Sequence, residues 1–109
     1  MQKEIKVLVV DDEEIMRKLF TDILQEEGCK VTCVSNGKEA VDRIKDEFFD
    51  LAFIDLHMPV MDGVQTFYML RKVTPKTVLV MMDSMPIYGI EKFKEMGAAT
   101  HIHKPFDIS

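Results

Sequence analysis

Three aspartates and a lysine follow segments that are expected to be strands, at places where charged side chains could do chemistry. Asp11 and Asp12 follow the run IKVLVV, Asp55 follows LAFI, and Lys104 follows THIH. If these runs are parallel strands, their carboxyl ends share one edge of the sheet, which is where open α/β sheets bind ligands. A carboxylate at that edge could bind a metal or act as a nucleophile, and we interpret Asp55 as doing both.

The charges themselves indicate which metal would be bound. If the strands before Asp11 and Asp55 are neighbours, about 4.8 Å apart, three carboxylates meet in one small cleft. Like charges that close do not all stay ionised without a counter-charge. Oxygen-only ligands with a strong negative charge suit a hard divalent cation, above all Mg²⁺. Lys104 would supply a further positive charge opposite them.

The elements that must position these groups alternate along the chain. We expect helices between the strands, with Asp12 capping the first helix, Gly28 ending it and Asn36 capping the second. No segment has the pattern of a hairpin, so the alternation predicts a parallel sheet with helices on both faces. The predicted strands are residues 5–10, 30–34, 50–54, 77–82 and 100–103, and the third and fourth helices are residues 63–72 and about 86–96.

The apolar residues of the helices recur with helical spacing, which predicts the faces that pack on the sheet. The first helix is expected to bury one continuous stripe, and the second and third helices to bury shorter ones. These positions are Ile15, Met16, Leu19, Phe20, Ile23 and Leu24 in the first helix, Ala40, Val41 and Ile44 in the second, and Val64, Phe67, Tyr68 and Leu70 in the third.

Size and charge exclude several classes of protein. A chain of 109 residues is one domain, residues 1–109, and its formal net charge of -5 disfavours nucleic acid or an anionic membrane as a partner. No apolar run is long enough to span a bilayer, and the N-terminus lacks a signal-peptide pattern. With Cys29 and Cys33 expected to be reduced thiols, the sequence indicates a cytoplasmic location.

The three motifs together resemble the receiver domain of two-component response regulators. They are DD after the first strand, D-x-x-M-P-x-M-D-G after the third and K-P-F after the fifth, and the resemblance covers residues 5–109. It implies a flavodoxin-like three-layer α/β sandwich with a parallel five-stranded sheet in the order 2-1-3-4-5. The family's fifth helix has only its beginning here, in residues 107–109, so we expect it to be absent or truncated, and an uncovered apolar face would favour a homodimer.

The resemblance also implies a role for each residue that matches a motif. Asp55 matches the aspartate that accepts a phosphoryl group from a histidine kinase or a small acyl phosphate. Asp11 and Asp12 match the acidic pair that holds Mg²⁺, Asp12 more directly and Asp11 through water. The backbone carbonyl of His57 matches a further metal ligand, and Lys104 matches the lysine that pairs with the phosphoryl oxygens. Such a chain is a signalling module whose only catalysis is its own phosphorylation and slow autodephosphorylation.

The sequence departs from the family at the positions that normally report phosphorylation. Met82 stands where the family has a switch threonine or serine, and methionine has no hydroxyl to donate to a phosphoryl oxygen. Asp83 adds a negative charge beside it, and Ser84 could substitute only if its loop shifts. His101 replaces the usual aromatic switch residue. The alternative interpretation is therefore a pseudo-receiver, a protein-interaction module with weakened switching.

Two other classes fit the sequence less well. A phosphatase with an aspartate nucleophile after the first strand requires an Asp-x-Asp spacing, which Asp11, Asp12 and Glu13 do not provide. A flavin-binding protein would carry a Ser/Thr/Gly-rich phosphate loop where this chain has acids. Because no helix-turn-helix is present, we expect no direct DNA binding by this chain. Its partners are expected to be a histidine kinase or phosphotransfer protein and a downstream effector protein.

Overall fold

A computed structural model describes residues 4–56, 58, 61–83 and 100–103, with Asp83 and the last four residues described by their backbone alone. The helix predicted from Pro86 onward and residues 104–109, where a truncated fifth helix was expected, lie outside the described residues. The elements in chain order are β1 (Lys6–Val10), α1 (Glu14–Glu26), β2 (Lys30–Val34), α2 (Gly37–Asp46), β3 (Leu51–Asp55), α3 (Gly63–Val73), β4 (Val78–Asp83) and β5 (Thr100–His103).

The five strands form one sheet in the order β2-β1-β3-β4-β5, and every strand pair is parallel. This confirms the predicted sheet and its order. β1 lies next to β3, so the carboxyl ends of these two strands are adjacent. β2 and β5 match their predicted bounds, whereas β3 and β4 each begin and end one residue later than predicted.

The core consists of two apolar layers, one on each face of the sheet. Residues 7–10 of β1 are fully buried, as expected for a β-branched strand that is covered on both faces. The layer towards α2 and α3 includes Ile44, Phe49, Phe67 and Leu70. The layer towards α1 contains Val7, Val9, Met16, Phe20 and Met82.

The apolar stripe predicted for α1 is wider than the face that the helix buries. Met16 and Phe20 are buried, but Ile15 is 80% exposed and Leu19 is 37% exposed. In α3, Phe67 and Leu70 are buried as predicted, whereas Tyr68 is 54% exposed. Ile15, Leu19 and Tyr68 are each adjacent in sequence to a buried residue and lie at the side of the buried face. They therefore remain exposed to solvent, although their apolar side chains placed them in the predicted stripes.

The two ends of α1 differ in how well the sequence predicted them. Gly28 has a φ of +85° and its N–H bonds to the Gln25 carbonyl, while the Cys29 N–H bonds to the Leu24 carbonyl. This is a Schellman motif, which confirms Gly28 as the residue that ends the helix. At the start the prediction was wrong, because Glu13 and not Asp12 occupies the N-cap position.

The second helix begins as predicted. The side chain of Asn36 accepts a hydrogen bond from the Glu39 backbone N–H at 2.9 Å, which satisfies one of the amides left free at a helix start. Ala40, Val41 and Ile44 are buried against the sheet, in agreement with the pattern.

Both cysteines are free thiols, and Cys33 Sγ lies 3.2 Å from the Thr21 hydroxyl. Among the described helices, none is both long and apolar enough to cross a membrane.

Candidate functional site

Four acidic side chains meet at the carboxyl edge of the sheet. Asp11, Asp12 and Glu13 follow β1, and Asp55 is the last residue of β3. Each offers a carboxylate oxygen, and these oxygens all lie within 4.8 Å of one another. Asp11 and Asp55 are buried, whereas Asp12 and Glu13 are exposed. Neighbouring parallel strands thus bring together acids that are more than forty residues apart in the sequence.

The loop after β1 is held by hydrogen bonds to Asp11. The Asp11 carboxylate accepts the backbone N–H of Glu13 at 2.9 Å, and its backbone carbonyl accepts a bond from the Arg17 guanidinium at 2.8 Å. The Asp11 N–H in turn donates to the Val34 carbonyl at 3.2 Å. These contacts tie the acidic loop to β2 and to α1, so its carboxylates are presented on a fixed backbone.

Leu56, directly after Asp55, and the start of α3 are held equally closely. The Leu56 N–H donates to the Met82 carbonyl at 2.8 Å, and the Gly63 N–H donates to the Leu56 carbonyl at 2.9 Å. Asp62 begins α3 with a capping box, in which its side chain accepts the Gln65 N–H and the Gln65 side chain accepts the Asp62 N–H. Asp55 therefore ends a strand whose next residue, Leu56, is bonded both to β4 and to the start of α3.

The donor set fits a hard divalent cation. Four carboxylates in so small a volume repel one another, and a bound cation of charge +2 would remove much of that repulsion. Oxygen ligands of this kind are those that Mg²⁺ prefers, and exposed Asp12 and Glu13 leave the site open to water, which Mg²⁺ usually retains.

The structure brings together three of the site residues predicted from the sequence, which are Asp11, Asp12 and Asp55. Lys104, His57 and Ser84 lie outside the described residues, so their predicted roles remain predictions. One member of the cluster, Glu13, was not predicted from the sequence. The run of four acids from Asp11 to Glu14 was the available signal, but such a run is equally typical of a helix start.

The switch positions lie on the two strands beyond β3. Met82 on β4 pairs in register with Asp55, and its side chain is fully buried in the layer that faces α1. His101 on β5 pairs in register with Met81, and Asp83 is the last residue of β4. The side chains of His101 and Asp83 lie outside the described part of the chain.

A parallel sheet in the order 2-1-3-4-5 with helices on both faces defines the flavodoxin-like class of α/β proteins, and here acids stand at its carboxyl edge. The sequence places the chain more narrowly. A profile of the family described as response regulator receiver domain matches residues 7–109. The chain belongs to this family, whose members act in two-component signalling.

The curated relatives include proteins of similar length and much longer ones. The chain is 34% identical over 107 residues to sporulation initiation phosphotransferase F of Bacillus subtilis, covering 94% of this chain and 84% of that protein. It is 37% identical over 108 residues to a protein-glutamate methylesterase/protein-glutamine glutaminase of Desulfotalea psychrophila, again covering 94% of this chain. The match spans only 30% of that longer protein.

Solved structures of similar proteins have the same fold. The chemotaxis protein CheY4 of Vibrio cholerae superposes with a TM-score of 0.84 at 31% identity, covering 96% of this chain and 90% of that one. A structure described as a CheX-CheY-BeF3-Mg²⁺ complex from Borrelia burgdorferi superposes with a TM-score of 0.88 at 28% identity, covering 94% and 80% of the two chains.

Proposed function

We propose that this chain is a phosphorylatable receiver domain in which Asp55 accepts a phosphoryl group. The observation that carries the proposal is the meeting of Asp55 with Asp11 and Asp12 at one edge of the sheet. A nucleophilic carboxylate beside a cation-binding pair is the arrangement that phosphoryl transfer to aspartate needs. The whole chain, residues 1–109, is proposed to form this one receiver domain.

The chain's own residues prepare Asp55 for transfer. β3 and the bond from Leu56 N–H to the Met82 carbonyl fix its backbone, so the carboxylate can be held in line with an incoming phosphorus atom. A carboxylate oxygen of Asp55 forms the new P–O bond while the bond from phosphorus to the donor breaks. The donor leaves as a carboxylate if it is an acyl phosphate, or as an imidazole that takes up a proton if it is a phosphohistidine.

Charge balance assigns the remaining roles. Asp11 and Asp12 would hold Mg²⁺, together with a carboxylate oxygen of Asp55 and the backbone carbonyl of His57. When bound, Mg²⁺ supplies positive charge that stabilises the negative charge of the phosphoryl group. Lys104 is proposed to pair with the phosphoryl oxygens from the β5 side.

The proposed partners follow from the same chemistry. The donor would be a histidine kinase or a phosphotransfer protein in the cytoplasm. The phosphorylated form would signal through a downstream effector protein without direct contact of this chain with DNA or with a membrane. We expect no enzymatic activity beyond phosphorylation and slow autodephosphorylation of Asp55, and a homodimer is the proposed assembly if one sheet face is left uncovered.

Phosphorylation by acetyl phosphate tests the proposal. The wild-type chain, incubated with acetyl phosphate and Mg²⁺, should gain the mass of one phosphoryl group in an intact-mass measurement. Hydroxylamine should remove it, because an acyl phosphate is labile to this nucleophile. Asp55→Ala should gain nothing, and Asp42→Asn, an exposed acid of α2, should behave like the wild type. Modification of Asp55→Ala to the wild-type extent would refute the assignment.

A pseudo-receiver is the second candidate, and the burial of Met82 favours it. The position from which a hydroxyl would reach the phosphoryl group carries an apolar side chain packed in the core. In this candidate Asp55 is phosphorylated weakly or without a conformational response. NMR titration with fluoroberyllate separates the two, because a receiver that switches would show large shifts in the amides of β4 and β5, and a pseudo-receiver would not.

A further inference from the structure

Glu13 is the one member of the acidic cluster to which neither the sequence motifs nor the capping of α1 assigns a role. It occupies the N-cap position of α1 with an extended backbone, φ -88° and ψ 117°, but its side chain makes no capping hydrogen bond. Glutamate is also not among the residues favoured at that position, which are Ser, Thr, Asp, Asn and Gly. The requirements of the helix therefore do not explain a carboxylate here.

The backbone turns Glu13 towards the site. The Glu13 N–H donates to the Asp11 carboxylate at 2.9 Å, and this bond fixes the chain direction between β1 and α1. In this conformation a Glu13 carboxylate oxygen lies within 4.8 Å of the ligand oxygens of Asp11, Asp12 and Asp55. The neighbouring Glu14, in the first turn of α1, is not part of the group. Two adjacent glutamates thus differ in whether they reach the site.

We infer that Glu13 is a fourth acidic partner of the bound cation and sets how tightly the site holds it. This inference rests on the proposed function, since it takes the cation to be Mg²⁺ at Asp11, Asp12 and Asp55. Mg²⁺ usually keeps several of its waters, and an exposed carboxylate at this distance can accept hydrogen bonds from such waters without displacing them. Glu13 is thus a positioning residue that acts through water and through its charge.

A fourth carboxylate has opposite effects on the two states of the site. With the cation present, its negative charge is attracted to the ion and raises the affinity. Without the cation, it adds repulsion to three other carboxylates. Neutralising Glu13 should therefore weaken Mg²⁺ binding, and neutralising the adjacent Glu14, which lies outside the cluster, should not.

Isothermal titration calorimetry of Glu13→Gln, with Glu14→Gln as the matched control, tests the inference on the full chain. Both variants lose one negative charge at the start of α1, but only the first changes a member of the cluster. We expect Glu13→Gln to bind Mg²⁺ about tenfold more weakly than the wild type, a loss of about 1.4 kcal/mol, and Glu14→Gln to stay within about twofold. Thermal melts in EDTA should show that both glutamine variants are folded at the temperature of the titration, so that weaker binding does not come from unfolding.

The outcomes separate this inference from the proposed function. If Glu13→Gln binds Mg²⁺ like the wild type while Asp12→Asn binds poorly, the role of Glu13 is refuted and the proposed site stands. If both glutamine variants weaken binding equally, the effect is one of net charge and the inference is also refuted. If the wild type itself binds no Mg²⁺ at millimolar concentration, the proposed site fails together with the inference.

Discussion

Met82 of β4 is paired in register with Asp55 of β3. Its side chain packs with Val7, Val9, Met16 and Phe20. A methionine in that position can move within the core but cannot donate a hydrogen bond to a phosphoryl oxygen. The backbone still connects the two strands, because the Met82 carbonyl accepts the Leu56 N–H. A conformational change that begins at Asp55 must therefore reach β4 through this backbone hydrogen bond or through side chains other than that of Met82.

Replacing Met82 with threonine introduces the hydroxyl that this position lacks. We expect Met82→Thr to show larger fluoroberyllate-induced shifts in β4 amides than the wild type, measured by NMR in the presence of Mg²⁺. The variant should also lose about 2–4 kcal/mol of unfolding free energy, because a fully buried side chain becomes smaller and polar.

Met81→Thr is the matched control for this prediction. Met81 is equally buried but packs in the layer towards α2 and α3, so its hydroxyl would lie on the other face of the sheet. Met81→Thr should lose comparable stability without a larger response to fluoroberyllate. An enhanced response in both variants, or in neither, would show that the hydroxyl position does not limit switching.

At the scale of whole elements, Gly63 determines how closely α3 approaches the chain after Asp55. A Cβ built on Gly63 would lie 2.2 Å from the Asp55 carbonyl oxygen and 2.4 Å from Leu56 Cα. These are backbone atoms, which cannot move aside as a flexible side chain would. The absence of a side chain at Gly63 therefore allows the hydrogen bond from its N–H to the Leu56 carbonyl and keeps Asp55 in place.

Gly63→Ala should disturb both stability and the site. We expect a loss of about 1–3 kcal/mol in urea unfolding and slower phosphorylation by acetyl phosphate, because the helix start must move away from Asp55. Gly28→Ala is the comparison, since Gly28 has a positive φ but no atom within 4 Å of an added Cβ.

The Gly28→Ala variant should lose about 1–2 kcal/mol through backbone strain alone and be phosphorylated at the wild-type rate. If Gly63→Ala is phosphorylated as fast as Gly28→Ala, the close approach of α3 does not position Asp55.

The sequence predicted the elements better than the contacts between them. Alternating apolar runs and turn residues were enough for all five strands of the described sheet, and Gly28 marked the end of α1 correctly. The start of α1 was misplaced because the Asp11 carboxylate binds the Glu13 N–H, a local bond that the residue types alone do not specify. The exposure of Ile15 depends on how α1 is rotated against the sheet, and periodicity gives that rotation only approximately.

The site, too, could be predicted from the sequence only in part. Asp11, Asp12 and Asp55 could be predicted because each stands at the end of an apolar strand, and a parallel sheet brings such ends together. Glu13 could not, because a glutamate side chain reaches the site only when the loop before α1 turns it back. The packing of Met82 could not be predicted either. Which face of the sheet its side chain occupies depends on the register between β4 and β3, and the sequence does not specify that register.

At the scale of the whole molecule, pH acts on an ion pair that joins Lys6 of β1 to Glu47 at the end of α2. The Lys6 ammonium, which hydrogen-bonds to the Glu47 carboxylate, holds the pKa of that carboxyl below its usual value of 4.5; burial acts in the opposite direction, and the charge of Arg43 adds to the lowering. Because the folded-state pKa is depressed, the stabilisation is fully present above the unfolded value and is lost as the pH falls through the folded value.

Glu47→Gln should therefore be less stable than the wild type near neutral pH, and the difference should vanish in acid below the folded pKa. The difference should be small, because the pair is partly exposed to solvent. Urea unfolding across this pH range measures it, with Glu26→Gln at the exposed end of α1 as the control. A difference that persists unchanged below the folded pKa would assign the effect to the side chain's packing and not to its charge.

The acidic cluster makes the stability of the whole molecule depend on the divalent cation. Asp12→Asn removes one of four mutually repelling carboxylates, so the metal-free variant should be more stable than the metal-free wild type by about 1 kcal/mol. In the wild type, Mg²⁺ at a hundred times its dissociation constant should add about 2.7 kcal/mol, and in Asp12→Asn it should add little at the same concentration. Urea unfolding in EDTA and in Mg²⁺ measures both effects, and Asp22→Asn, an exposed acid of α1 outside the cluster, should behave like the wild type. If Asp12→Asn were instead destabilised in EDTA, Asp12 would be stabilising the free fold, and the carboxylates would not be under the repulsion that makes this edge of the sheet a cation site.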